Sequence, residues 1–282
     1  MLPRANISQG ETMFRQLTPL QPREHQQLRF NPRQPYDFAK EQMLIPVVAA
    51  ETARIAREMP IVFPLSGGLP QALVGVNHGQ NMHVKEDTGH WIGRYIPAHI
   101  RRYPFMLAAV PGTEGSGSEQ QYVIQFDAEA SHLERPDGLA LFDDQGHATE
   151  TLQQIQKVLT NLERENHRTL GLVAELEAAG LLAERQIYVG EEGKGGKRLA
   201  GIRLVDEKAL AALDGDTLAK LRTSGALALV YAHLLSLNNL RDGLLAQMTR
   251  ADHADSAADQ QPMSLDQLFE EGDDDFSFDF DS

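Results

Sequence analysis

The chain has 282 residues, no cysteine and a formal net charge of −14. Without cysteine, disulfides, thiolate metal ligands and a cysteine nucleophile are all excluded. Eleven acidic residues fall between Asp252 and Ser282, where there is no Lys or Arg, so the rest of the chain is close to neutral. It lacks the strongly basic face of a nucleic-acid binder.

Residues 1–40 carry Pro3, Pro19, Pro22, Pro32 and Pro35. Prolines at that density break regular structure. The segment reads as an extended arm, either laid over the body through Phe14, Leu17, Leu20, Leu28 and Phe30 or partly disordered. Met1–Gly10 shows no apolar stretch with a small-residue cleavage site, so a cytoplasmic protein is the default expectation. A cell-surface role would need a route independent of a signal peptide. The longest apolar run, Gly225–Leu237, is interrupted by His233 and Ser236, short of a transmembrane segment.

Residues 41–250 read as one α+β domain, antiparallel and β-rich in its N-terminal half and helical in its C-terminal half. Ile45–Ala50 is apolar, and Glu51–Glu58 reads as a helical turn. Pro60–Pro64 and Ala72–Val76 are β-branched runs closed by turn residues. Asn81–Val84 and Trp91–Tyr95 flank the turn-like Glu86-Asp87-Thr88-Gly89 and read as two more strands. Tyr103–Val110 and Tyr122–Phe126 follow, separated by the Gly/Ser-rich Gly112–Gln120.

Leu152, Ile155, Val158, Leu159, Leu162, Leu170, Val173 and Leu176 recur at three- and four-residue steps, one face of a long helix ending at Gly180. Gln186–Val189 and Leu199–Val205 flank a glycine-rich turn and predict a hairpin. Asp206–Leu221 and Ala226–Met248 predict two further helices. Residues 251–282 form an acidic tail whose composition predicts disorder, with Phe276, Phe278 and Phe280 set among the carboxylates. Such a tail can dock in a partner's groove, serve as an export signal or simply solubilise the chain.

Several motifs occur in a fixed order. Pro60-Ile61-Val62-Phe63 precedes Ala72-Leu73-Val74-Gly75, then Gly79, Asn81, Gly89 and Trp91. Tyr95-Ile96-Pro97-Ala98 and Ile100-Arg101-Arg102-Tyr103-Pro104-Phe105 follow. Leu141-Phe142-Asp143, Gly201–Asp206 and Tyr231–Leu237 complete the set. This set resembles the bacterial SapC family over roughly residues 15–245; the acidic tail lies outside that pattern. The resemblance implies association with a bacterial surface layer and an accessory role, and it brings no catalytic residues.

Trp91 to Phe105 is the leading candidate contact surface. Trp91, Tyr95, Arg101, Arg102 and Tyr103 are residue types that anchor interfaces, and two arginines can grip a carboxylate or phosphate. The alternative is that the aromatics are core and the arginines pair within the body. His78, His83, His90 and His99 invite a metal reading, but their spacing matches no compact ligand pattern. His132-Leu133-Glu134 with His233 offers a two-histidine, one-carboxylate reading; His233 also suits a bonded core histidine. Gly190–Gly196 lacks the order of a phosphate loop and reads as a turn. The neighbouring helix and hairpin suggest a winged helix, against which the neutral charge weighs. No nucleophile elbow, dinucleotide fingerprint or zincin motif occurs, and nothing calls for a cofactor. The expectation is a non-catalytic binding or assembly protein with a protein partner, met through the aromatic/Arg stretch or the tail. The alternative is a metal-dependent enzyme or enzyme accessory.

Overall fold

Short β-branched runs bounded by Pro and Gly are too brief to nucleate helices, and they pair as strands instead. The computed structural model describes residues 13–110, 121–133, 137–190 and 196–250. The acidic tail with Phe276, Phe278 and Phe280, the Gly112–Gln120 loop, Glu134 and most of the hairpin tip lie outside the described residues.

The strands are β1 (Leu17–Pro19), β2 (Arg29–Phe30), β3 (Leu44–Pro46), β4 (Ile61–Pro64), β5 (Gln71–Leu73), β6 (Phe105–Ala109), β7 (Tyr122–Asp127), β8 (Leu139–Ala140), β9 (Leu182–Val189) and β10 (Lys197–Val205). The helices are α1 (Pro22–His25), α2 (Thr52–Ile55), α3 (Ala98–Arg101), α4 (Glu150–Ala178), α5 (Glu207–Ala211), α6 (Gly215–Ser224), α7 (Ala226–Ser236) and α8 (Asn239–Asp242), with helical turns over 244–250. This is the expected α+β class. Every strand pair is antiparallel, and the sheets run in the orders β1-β7-β6, β3-β5-β4-β10-β9 and β2-β8.

The C-terminal half also supplies sheet: the β9–β10 hairpin joins the five-stranded sheet by pairing β10 with β4, Ile202 opposite Pro64. The β9–β10 register shifts between Leu199 and Ile202, where Gly201 takes φ +83°. That is a β-bulge, and glycine adopts its conformation without strain.

α4 is the predicted long helix. Thr149 caps its start by accepting from the Leu152 N–H. Its end is a Schellman motif: Gly180 has φ +67°, and the Leu181 N–H returns to the Leu176 carbonyl at 3.0 Å. The N-terminal half of α4 packs Leu152 and Leu159 into a core with Phe105, Phe126, Ile55 and Leu141. Its C-terminal half packs Leu172, Val173 and Leu176 against Phe63, Leu229 and Val230 in another. Each large side chain so buried contributes about 2–3 kcal/mol over leaving it exposed.

Three expectations need correction. Asp206–Leu221 is two helices, because Asp214 accepts from the Thr217 N–H at 2.9 Å and starts α6 afresh. Ala226–Met248 is likewise broken, after Ser236 and again at Gly243. Asn81–Val84 and Trp91–Tyr95 form no strands, only a Val84–Trp91 bridge. Their polar atoms turn back locally instead: Asn81 Oδ1 accepts from the His83 N–H at 2.9 Å. Residues 13 onward of the expected arm do lie on the body. Met13 and Phe14 are buried, β1 pairs with β7, and Leu20, Leu28 and Phe30 pack on the core, while Leu17 is exposed. Among the described residues no helix is long and apolar enough to cross a membrane.

Candidate functional site

The stretch from Trp91 to Phe105 divides its side chains between interior and surface. Tyr103 is buried and stacks on Phe38 with ring centroids 3.8 Å apart, and Phe105 is 1% exposed. Trp91 is half-buried beside Tyr36 and His83, and its Nε1 donates to the Tyr95 carbonyl at 3.0 Å. Tyr95 and Arg101 face a cleft of about 260 Å³.

Glu51 forms the floor of that cleft. It is 4% exposed, yet both its oxygens are taken. Oε1 accepts from the Val48 N–H at 3.1 Å, and Oε2 accepts from the Tyr95 hydroxyl and the Ala98 N–H, each at 2.9 Å. Burial pushes its carboxyl above the ordinary value, against the pull of these bonds and of Arg101. Burial, then Glu51, also raises the Tyr95 phenol.

Arg101 Nε donates to the Ile96 carbonyl at 2.9 Å, and its Nη2 donates to the Tyr95 hydroxyl at 3.2 Å. Two guanidiniums lie over the Tyr95 ring, Arg101 at 5.6 Å and Arg54 at 5.7 Å from its centroid. The opposite wall is α4, with Val158 at 45% exposure, Leu162, Asn161 and Glu165. One wall thus carries Tyr95 and Arg101, and the other sets Val158 and Leu162 beside Asn161 and Glu165. A larger hollow of about 950 Å³ lies between the end of α4 and α6, but its only buried lining residue is Leu221. It carries no comparable set of fixed polar groups, so the Tyr95 cleft is the better candidate.

The paired-arginine reading needs correction: the two side chains part. Arg101 is exposed, whereas Arg102 turns inward over the Phe14 ring at 5.3 Å. Burial pushes Arg102 down to about 10, with Glu163 opposing. Its neighbour His99 is pushed down to about 3 by burial and by Arg102, while Asn166 holds its Nε2 at 3.1 Å. The second guanidinium at Tyr95 is that of Arg54, on α2.

Tyr103 is also interior. Its hydroxyl donates to Asp127 Oδ2 at 2.9 Å, and Asp127 is fully buried. That carboxylate also accepts from the N–H groups of Arg15 (2.9 Å), Gln16 (2.9 Å) and Glu129 (3.2 Å). Burial works to raise it, but these donors prevail and hold it below the usual carboxylate range.

His233 as a contact residue is corrected too: it is 0% exposed. Its Nδ1 donates to the Ile61 carbonyl at 2.7 Å and its Nε2 accepts from the Val205 N–H at 3.1 Å, an assignment that fixes the tautomer. The ring therefore cross-links β4 and β10, and burial pushes it down to about 4. Ser236 completes the lock, its hydroxyl accepting from the Ile61 N–H at 2.8 Å. His132 sits elsewhere, among Phe30, Phe38 and Tyr103. Among the described residues no three His, Asp or Glu side chains are grouped to hold a metal ion.

Glu51 and Arg54 went unseen in the sequence. They stand three apart in the predicted turn Glu51–Glu58, and nothing in their spacing points to a tyrosine more than forty residues later. The one usable signal was a carboxylate directly after the apolar run Ile45–Ala50.

Fold and cleft together define an α+β protein with a small arginine- and tyrosine-lined recess on its surface. The SapC family model matches residues 20–242, and the chain belongs to that family. No curated protein and no solved structure matches it.

Proposed function

We propose that this chain is a non-catalytic binding protein, and that the Tyr95 cleft is where it holds an acidic, apolar-bearing segment of a protein partner. The observation behind this reading is the Tyr95 ring set beneath the guanidiniums of Arg54 and Arg101. Among the described residues neither arginine forms an ion pair with a carboxylate, whereas Arg168, Arg185 and Arg203 each do. A guanidinium stacked on an aromatic ring is held in place and keeps N–H groups for a carboxylate. Val158 and Leu162 supply the apolar contact opposite.

A catalytic reading of this cleft would look first to Glu51, its most buried carboxyl, as acid or base. Three donors already occupy its two oxygens, and two of them are backbone N–H groups that cannot turn away. Glu51 fixes Tyr95 and the start of α3; it does not reach for a substrate proton.

The test is calorimetry with capped peptides, acidic-aromatic, acidic-aliphatic and basic, on the full chain. The acidic-aromatic peptide should bind best, and Arg54→Ala with Arg101→Ala should weaken it about tenfold or more, about 1.4 kcal/mol. Unchanged affinity in a folded double variant defeats the reading.

A further inference from the structure

We infer that the occupant of the Tyr95 cleft in the resting protein is the chain's own C-terminal segment, Asp273–Asp281; this rests on the cleft being a binding site. The first ground is charge complementarity. Asp273, Asp274, Asp275, Asp279 and Asp281 surround Phe276, Phe278 and Phe280, with no Lys or Arg from Asp252 onward. The cleft is lined by Arg101 and by two carboxyls, the buried Glu51, whose oxygens are already bonded, and Glu165, and further guanidiniums lie close by. The guanidiniums of Arg54 and Arg101 lie over the Tyr95 ring, and Arg164 donates to the lining residue Asn161 at 3.0 Å. The carboxylate on that wall, Glu165, is itself engaged with Arg168 at 3.5 Å.

The second ground is the alternation of the segment. Phe276, Phe278 and Phe280 stand at every second position with Ser277 and Asp279 between them, and the cleft pairs the apolar Val158 and Leu162 with the Arg101 guanidinium. The rival surface is the outer face of α7, where Tyr231 is 53% and Leu235 65% exposed. That face would take the rings, but among the described residues no guanidinium lies over the Tyr231 ring as two do over Tyr95.

The third ground is reach. The described chain stops at Arg250, and 25 residues separate it from Phe276. At about 3.3 Å each they span up to roughly 80 Å. A body of this size has a radius of gyration of about 18 Å, so every face is within range. Tethering gives an effective concentration on the order of millimolar, so a weak contact fills the cleft. A partner with a matching segment must then displace the tail, which makes the tail a built-in competitor.

Trp91, the only tryptophan, bonds the Tyr95 backbone and reports on the site. The experiment compares the full-length chain with full-length Phe276→Ser/Phe278→Ser/Phe280→Ser. It reads acrylamide quenching of Trp91 and the binding of a synthetic peptide with the sequence of residues 270–282. Quenching should rise in the triple variant, and also in Arg54→Ala/Arg101→Ala, while the added peptide binds the triple variant about tenfold more tightly than the wild type. Equal peptide binding to both chains overturns the proposal and leaves the binding site standing. Binding to neither chain removes both readings. A tail effect unchanged by the arginine substitutions but abolished by Leu235→Ser overturns it in favour of the α7 face. Wild-type quenching that changes with protein concentration overturns it in favour of a tail from another copy.

Discussion

Glu51 and Asp127 each accept a tyrosine hydroxyl from the same short stretch, Tyr95 for one and Tyr103 for the other. Both are buried, and both also take backbone N–H donors. Their acidities nevertheless move in opposite directions, Glu51 up and Asp127 down. Asp127 gathers three backbone donors and Glu51 two. Burial is the largest influence on both and opposes the charge; at Glu51 it prevails over the donors and Arg101, and at Asp127 the donors together outweigh it. Asp127 is therefore a charged fastening inside the fold. Glu51 is a protonatable prop beneath a surface cleft, and the nearby Arg101 is exposed, so water weakens its help.

Substitutions can break this contrast. The largest effect is expected from His233→Ala, an uncharged reference site, at about 4 kcal/mol from a cavity and two orphaned backbone groups. Urea titration measures it. His233 titrates near 4 in the fold against an ordinary 6.5, so its stabilisation is present above pH 6.5 and is lost as pH falls through 4. The variant should lack that slope.

Asp127→Asn should cost about 3 kcal/mol at pH 7, since an amide brings its own N–H groups among four donors. The depressed carboxyl stabilises the fold above its ordinary 3.8 and ceases to as pH falls through its folded value. The gap between wild type and variant should therefore narrow at pH 3. Tyr103→Phe should cost about 1.5 kcal/mol, half the Asp127 effect, because three donors remain.

Glu51→Gln should be the mildest, about 1 kcal/mol, and its slope should run the other way. A raised carboxyl contributes most below its ordinary 4.5, and the contribution is lost as pH rises through the folded value. The cost of Glu51→Gln should shrink from pH 4 to pH 7. Matching slopes for the Glu51 and Asp127 variants would erase the distinction.

Where periodicity carries the information, the sequence was readable. The long helix α4, its stop at Gly180 and the β9–β10 hairpin follow from local spacing and turn chemistry and are present, but Val158 and Leu170 of the expected apolar face are exposed, while Thr169 and Leu172 are buried. Asp214 and Gly243 were missed because a capping aspartate or a single glycine within a helix-compatible run leaves the period intact. The cleft was half readable. Tyr95 and Arg101 stood out by residue type, but adjacent Arg101 and Arg102 carry no local signal for which one faces water. That choice depends on Phe14, drawn from far upstream to lie under Arg102. Glu51 and Val158 reach the cleft, and Arg54 the Tyr95 ring, only through packing of the turn before α2, α2 itself and α4, which no local pattern encodes.

The fastening of Arg15 and Gln16 to Asp127 sets a limit on how the front of the chain can be trimmed or tagged. A protease cutting ahead of Met13 would leave every bond of that sealed acid in place. A cut two residues beyond Arg15 would strip it of two donors at once, together with the first residue of β1.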